Sequence, residues 1–189
     1  MNILVTGGAG FIGSNFINYQ INNYNNKILN YDSLTYAANL KNLENCKNSP
    51  LYTFVKGNIC DDKKISKYLN EFKPDYIINF AAESHVDRSI DGPKDFIMTN
   101  IVGTFYLLES ALEYYNILTD DKKINFKLLH VSTDEVYGSL EDGGYFTEDT
   151  AYDPSSPYSA SKASSDHLVR AWERTFKLPV VIPNCSNNY

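Results

Sequence analysis

The stretch Asn2-Ile3-Leu4-Val5-Thr6-Gly7-Gly8-Ala9-Gly10-Phe11-Ile12-Gly13 constrains the fold more than any other part of the chain. Ile3-Leu4-Val5 is a short apolar run of the kind that makes a buried parallel strand. Gly7, Gly10 and Gly13 follow at a spacing of three, and an amphipathic segment runs from Phe11 to about Tyr24. Strand, glycine turn and helix in that order leave a backbone bare enough for a pyrophosphate to approach. The unpaired N–H groups and positive dipole end of a helix stand behind it. Gly8-x-Gly10-x-x-Gly13 also matches the dinucleotide fingerprint, a pattern that needs its structural context before it means anything.

That context is present. Lys27-Ile28-Leu29-Asn30-Tyr31 reads as a second strand and ends in Asp32. An acid about 20 residues past the glycines, at the end of the second strand, is suited to the adenosine ribose hydroxyls. A carboxylate there repels a 2′-phosphate, so NAD is expected over NADP.

Strands and helices alternate along the rest of the chain. Ser33 to Asn48 reads as a loop and a short helix, Tyr52–Val55 as a third strand and Lys63–Phe72 as a helix stopped by Lys73-Pro74. Tyr76–Phe80 is a fourth strand, followed by the small residues Ala81 and Ala82. A long helix is expected from about Pro93 to Tyr115, with Ile97, Ile101, Phe105, Leu108 and Leu112 on one stripe. Thr119–Lys123 reads as a polar loop, Lys127–Val131 as a fifth strand, Tyr158–Phe176 as a helix and Leu178–Ile182 as a sixth strand. Such alternation predicts an α/β fold: a doubly wound parallel sheet of Rossmann type with helices on both faces. Ligands of such sheets lie at the carboxyl ends of the strands, where every informative cluster here falls.

A length of 189 residues suits one domain, or one domain and part of another. The formal charge of −6 and the lack of a Lys/Arg block exclude a broad nucleic-acid surface. Cys46, Cys60 and Cys185 form no Cys-x-x-Cys pair and no metal-spaced cluster, so free thiols in a reducing compartment and no metal are expected. No apolar run approaches transmembrane length and no signal peptide precedes the first strand. A cytoplasmic protein without a membrane partner is the expectation.

The chemistry-bearing residues follow the fifth strand: Ser132-Thr133-Asp134-Glu135-Val136-Tyr137-Gly138, and then Tyr158-Ser159-Ala160-Ser161-Lys162. In a helix Tyr158 and Lys162 stand one turn apart on one face. An ammonium beside a phenol is expected to lower its pKa and make Tyr158 an acid or base for an alcohol oxidised by NAD. Thr133 could bind the same oxygen. Asp134 and Glu135, adjacent at the end of a buried strand, point in different directions. One could protonate a leaving hydroxyl while the other removes a carbon-bound proton, provided their environments separate their pKa values. A solvated acidic turn is the plainer alternative. His85, His130 and His167 are scattered; His130 alternates with apolar neighbours and reads as a core or supporting group.

These residues together resemble the extended short-chain dehydrogenase/reductase family, and within it the sugar-nucleotide 4,6-dehydratases. The resemblance is carried by Gly7–Gly13, Tyr31-Asp32-Ser33-Leu34-Thr35-Tyr36-Ala37, Ala81-Ala82-Glu83-Ser84-His85-Val86-Asp87-Arg88-Ser89, the Thr133-Asp134-Glu135 triplet, Tyr158-Ser159-Ala160-Ser161-Lys162 and Cys185-Ser186-Asn187-Asn188-Tyr189. It covers the whole chain, and the triplet is its most specific part. It implies a lyase reaction on a nucleotide sugar, with dTDP-glucose the expected substrate. Tyr158, with Lys162 and Thr133, takes the C4 hydroxyl proton while hydride passes to NAD. Glu135 removes the C5 proton, Asp134 protonates the departing C6 hydroxyl, and hydride returns to C6. A 4-epimerase, a related sugar-nucleotide dehydratase and a non-catalytic NAD-binding fragment are the rival readings.

By the same resemblance Gly7, Gly10, Phe11, Ile12, Gly13, Asp32, Ser33, Leu34, Thr35, Asn58, Ile59, Phe80, Ala81, Ala82, Glu83, Ser84, Thr99, Tyr158, Lys162 and Asn188 line the NAD site, and Ser84, Thr133 and Asn187 meet the substrate. The helix from Pro93 and the Tyr158 helix resemble the pair that builds a homodimer interface. The family extends well beyond Tyr189, so residues 1–189 correspond to the NAD-binding domain and lack most of the substrate lobe. Three departures stand out: Asn58 where Asp is usual, Ala38 where Gly is usual, and Pro183-Asn184 in place of Thr-Arg.

Overall fold

The computed structural model describes residues 1–140 and 143–188. Its strands are β1 (Asn2–Thr6), β2 (Lys27–Asp32), β3 (Tyr52–Lys56), β4 (Tyr76–Asn79), β5 (Lys127–His130), β6 (Ser132–Thr133), β7 (Val180–Val181) and β8 (Asn184–Cys185). Six of them form one parallel sheet in the order β3-β2-β1-β4-β5-β7, and β6 pairs with β8 in a small parallel sheet of its own. The helices are α1 (Phe11–Asn23), α2 (Asp62–Phe72), α3 (Val86–Asp91), α4 (Pro93–Phe96), α5 (Thr104–Asn116), α6 (Asp120–Asn125) and α7 (Pro157–Phe176).

The period of two in the strands sorts side chains between two cores. Leu29, Leu4, Ile77 and Leu128 are register partners across four strands and meet α2, α5 and α7 through Ile65, Leu69, Leu107, Leu108 and Val169. Ile3, Val5, Ile28 and Ile78 face the other way, onto Ile17 of α1 and Leu43 of a 3₁₀ turn (Leu40–Leu43). Burying each such Leu or Ile contributes about 1.5–3 kcal/mol. The direction of winding explains which helix goes where. The chain moves outward from β1 to β3, then returns to β4 on the opposite side of β1. Right-handed crossovers therefore place α1 on one face and the later helices on the other. Between β1 and β4 the order reverses, and a crevice opens at their carboxyl ends.

Local signals set the helix ends. Ser156 caps α7 reciprocally: its Oγ accepts from Ser159 N–H at 3.0 Å, and Ser159 Oγ accepts from Ser156 N–H at 2.9 Å. Pro157 supplies the first helical turn. Asp61 caps α2 through Lys64 N–H, and Lys73, left-handed at φ +53°, ends it.

Four expectations change. The long helix is not uniformly α: Ile97–Gly103 between α4 and α5 is a π-helix, whose wider turn rotates the preceding residues relative to those that follow. Thr119–Lys123 is mostly helix, because Asp120 and Asp121 suit a helix start and Lys122 and Lys123 its end. The fifth strand stops at His130, and the sixth shrinks to Val180–Val181. Beyond them the chain leaves the main sheet: Ser132 N–H donates to Pro183 O at 2.9 Å, and the β6–β8 pair carries the backbone toward the crevice.

Candidate active site

The crevice between β1 and β4 opens into a cavity of about 630 Å³. The glycine turn forms its floor. Gly7 is left-handed at φ +69°, and a Cβ there would stand 2.6 Å from the Ala81 nitrogen; one on Gly13 would stand 2.5 Å from Gly7 O. The bend thus brings the α1 N-terminus against the end of β4. No side chain caps α1 and its first turn carries no acid, so its first N–H groups are free to meet an anion.

Asp32 is 6% exposed and does more than face the cavity. Its Oδ2 accepts from Ala9 N–H at 2.9 Å and its Oδ1 from Leu34 N–H at 2.7 Å. One carboxylate therefore ties the glycine turn to the loop after β2 and still has lone pairs for a diol. Leu34 itself, at φ +57°, packs inward and is not part of the lining; its contribution is this N–H. Asn58 Oδ1 accepts from Cys60 N–H at 2.8 Å, which leaves its amide NH₂ as the polar group for a ligand. Apart from Leu34, every residue expected at the cofactor or the substrate lines this one cavity, from Phe11 and Ile12 on α1 to Asn187 and Asn188. Tyr189 lies outside the described residues.

The residues expected to act as acid and base line the same cavity where β6, the turn after it and α7 meet. Thr133 ends β6, and Asp134 and Glu135 follow directly on a 3₁₀ turn (Asp134–Tyr137), at the end of a buried strand as expected. The turn forms because Thr133 Oγ1 accepts from Glu135 N–H at 3.2 Å, starting it as a cap. Both acids face the cavity shared with Tyr158 and Lys162. Asp134 is half-buried, whereas Glu135 is exposed at the mouth. Burial of its inner side and the Asp134 carboxylate push the Glu135 carboxyl above its ordinary value. Asn184, one of the departures, steadies this turn: its Nδ2 donates to Thr133 O at 3.2 Å, and Tyr137 Oη donates to its Oδ1 at 3.3 Å.

The expectation that Lys162 lowers the Tyr158 pKa is not met. The phenol is pushed up to about 12, first by burial and then by the Glu135, Asp134 and Asp166 carboxylates, with the Thr133 hydroxyl acting the other way. The reason is the destination of the ammonium. Lys162 is 3% exposed and its Nζ donates to Val131 O at 2.8 Å. Burial pulls Lys162 itself down to about 8, opposed by Asp166 and Cys185.

Sequence reading missed Asn100. Carried by the π segment and buried, its Oδ1 accepts from Glu83 N–H at 2.8 Å, and its Nδ2 donates to Glu83 O at 2.9 Å and Ser161 Oγ at 2.8 Å. One carboxamide thereby joins the loop after β4 to the helix that bears Tyr158. The available signal was a polar residue within an apolar helical stretch. Tyr36, stacked under Arg88 with the guanidinium carbon 3.6 Å from the ring centre, and Cys185 also line the cavity and were not singled out. His130 proves to be a buried supporting group, bonded to Asn79 and Ser165. Among the described residues no cluster of three His, Cys, Asp or Glu could hold a metal ion, and no helix is long and apolar enough to cross a membrane.

Strand order and a glycine turn at the switch point define a doubly wound protein of Rossmann type. More narrowly, the chain belongs to the GDP-mannose 4,6 dehydratase family, whose profile matches residues 4–189. A probable dTDP-glucose 4,6-dehydratase of Sinorhizobium fredii is 57% identical over 189 residues, all of this chain and 54% of that protein. Among solved structures, the dTDP-glucose 4,6-dehydratase of Bacillus anthracis in complex with NAD superposes with a TM-score of 0.87 at 47% identity, over 100% of this chain and 56% of that one. That of Streptomyces venezuelae, with NAD bound, reaches 0.90 at 44% identity, over 100% and 56% respectively. The chain thus spans about half the length of the relatives it matches.

Proposed function

We propose that this chain is the NAD-binding, proton-transferring part of a dTDP-glucose 4,6-dehydratase, with residues 1–189 as one nucleotide-binding domain. The observation that carries the reading is that Asp134 and Glu135 line one cavity with Thr133, Tyr158 and the glycine turn before the uncapped α1. The relatives support the substrate assignment. The bare glycine turn fits a pyrophosphate and the Asp32 carboxylate fits a ribose, so the residues suit NAD. Held by the glycine turn and Asp32, NAD would supply the hydride acceptor for oxidation at C4 and the hydride donor for reduction at C6.

The chain's own residues move the protons. Tyr158 takes the C4 hydroxyl proton, with Thr133 on the same oxygen and the Lys162 charge behind it. The 4-keto group so formed acidifies C5–H; Glu135, its pKa already raised, removes that proton. Asp134 protonates the C6 hydroxyl, which leaves as water. As hydride returns to C6, Glu135 gives its proton back to C5, and the proton held by Tyr158 passes through solvent to replace the one that Asp134 gave up; cofactor and enzyme then end as they began, and the sugar has lost one water.

The three free thiols fit a cytoplasmic setting. A homodimer through α5 and α7 is supported by an apolar strip there: Phe105 and Trp172 lie 5.9 Å apart, Trp172 and Phe176 5.5 Å, beside exposed Ile97 and Met98.

Incubation of the chain with NAD and dTDP-glucose tests the reading, with mass spectrometry reporting loss of water. Glu135→Gln should still form NADH but release no water. A hexose epimerised at C4 with its C6 oxygen retained would refute the proposal, and tight NAD binding with no turnover would favour a nucleotide-binding part that is inactive alone.

A further inference from the structure

One buried carboxylate plays no part in the steps above. Asp166 lies on α7, eight residues past Tyr158 and four past Lys162, so the three share one helix face. It is 0% exposed. Its Oδ2 accepts from Ser132 Oγ at 2.7 Å, Tyr152 Oη at 3.0 Å and Asn184 Nδ2 at 3.4 Å. Burial pushes the Asp166 carboxyl above its ordinary value, and the Lys162 charge and these three donors act the other way, in favour of the carboxylate. Its Oδ1 has no hydrogen-bond partner and lies 3.5 Å from His130 Nε2.

A buried negative charge requires a positive one. His130 does not provide it. Thr6 Oγ1–H donates to Asn79 Oδ1, and Asn79 Nδ2 donates to His130 Nδ1, which must therefore be bare. The ring proton sits on Nε2, within 3.1 Å of Ser165 Oγ, whose own proton goes to Lys162 O at 2.8 Å. The imidazole is neutral, as burial and the nearby Lys162 charge both favour. Arg170 is held off by Tyr152, donating to its Oη at 2.8 Å. Cys185 approaches from β8, but a thiol adds no positive charge. Among the described residues the remaining cation is Lys162, one helical turn away and itself buried; its Nζ bonds to Val131 O and makes no direct ion pair with Asp166, so the two act on each other through space.

We propose that Asp166 is a positioning residue: its carboxylate is the counter-charge that keeps Lys162 an ammonium behind Tyr158. The proposal rests on the reading of Tyr158 and Lys162 as the proton-transfer pair, but its test needs no turnover. In the chain labelled with ¹⁵N-lysine, Asp166→Asn, which keeps an acceptor oxygen and removes the charge, should lower the Lys162 titration midpoint by about one pH unit or more. Ser132→Ala, which keeps the charge and removes a hydrogen bond, should leave that midpoint in place. An unmoved midpoint in Asp166→Asn, or an equal fall in Ser132→Ala, overturns the proposal. Should Asp166→Asn fail to fold, the unaltered chain decides: the Asp166 ¹³Cγ shift at pH 7 must be that of a carboxylate, and a protonated Asp166 overturns the proposal. If Tyr158→Phe still abolishes NADH formation while Lys162 is indifferent to Asp166, the proposed function stands and this inference alone falls.

Discussion

The two walls of the cavity are built on opposite plans. On the β1–β2 side the polar groups are engaged before any ligand arrives: Asp32 holds Ala9 and Leu34, and Gly7 is locked against Ala81 by a clearance no side chain could share. On the β6–α7 side Glu135, Tyr158 and Lys162 are displaced from their ordinary proton affinities, and Glu135 stands open at the mouth. A wall that recognises a constant nucleotide gains from rigidity. Under the proposed function the second wall moves protons, which needs groups whose charge is easily altered.

The largest expected effect lies on the rigid wall. Gly7→Val puts a branched side chain at positive φ against the backbone of residues 80 and 81, and should cost about 3 kcal/mol or more of stability. Calorimetry should show a lowered melting temperature and titration no NAD binding; retained binding would show that the turn is not rigid. Tyr158→Phe acts on the other wall alone. NADH formation on adding dTDP-glucose should fall about 10²- to 10⁴-fold while NAD affinity stays within a few-fold. Equal losses in both would erase the division between the walls.

A smaller effect concerns pH. The folded Glu135 pKa is raised, so above the ordinary carboxylate range the folded chain keeps a proton that the unfolded chain has lost. Stability from this group is therefore complete below the unfolded value and declines as pH climbs toward the folded one. Asp134→Asn removes the like charge and should move the Glu135 ¹³Cδ titration down only part of the way to its ordinary value, since burial is the larger cause. The smallest change expected is Asn58→Asp. Oδ1 of Asn58 is committed to Cys60 N–H, and a second acceptor in place of the NH₂ should strengthen NAD binding by less than about tenfold, measured by titration calorimetry.

The rigid wall was also the more legible in sequence. Gly7, Gly10, Gly13 and Asp32 are held by backbone geometry, and backbone demands restrict residue type strongly. Strand and helix periods gave the sheet and its helices for the same reason. The other wall depends on contacts distant in sequence. Nothing local shows that Asn184 will pair with Thr133 or that Asn100 will clasp Glu83, and π geometry has no residue signature of its own. The direction of the Tyr158 pKa went wrong because helical spacing puts Lys162 beside the phenol but says nothing of Val131, whose carbonyl takes the ammonium, nor of how deeply both are buried.

The clasp formed by Asn100 has a mechanical consequence. Two of its bonds hold the backbone of Glu83 and one reaches Ser161 on α7, so loosening of either element strains the same carboxamide. The amide proton of Glu83 should then exchange with solvent in step with those of the first turns of α7, so that this part of the loop after β4 and the helix behind it open as a single cooperative unit.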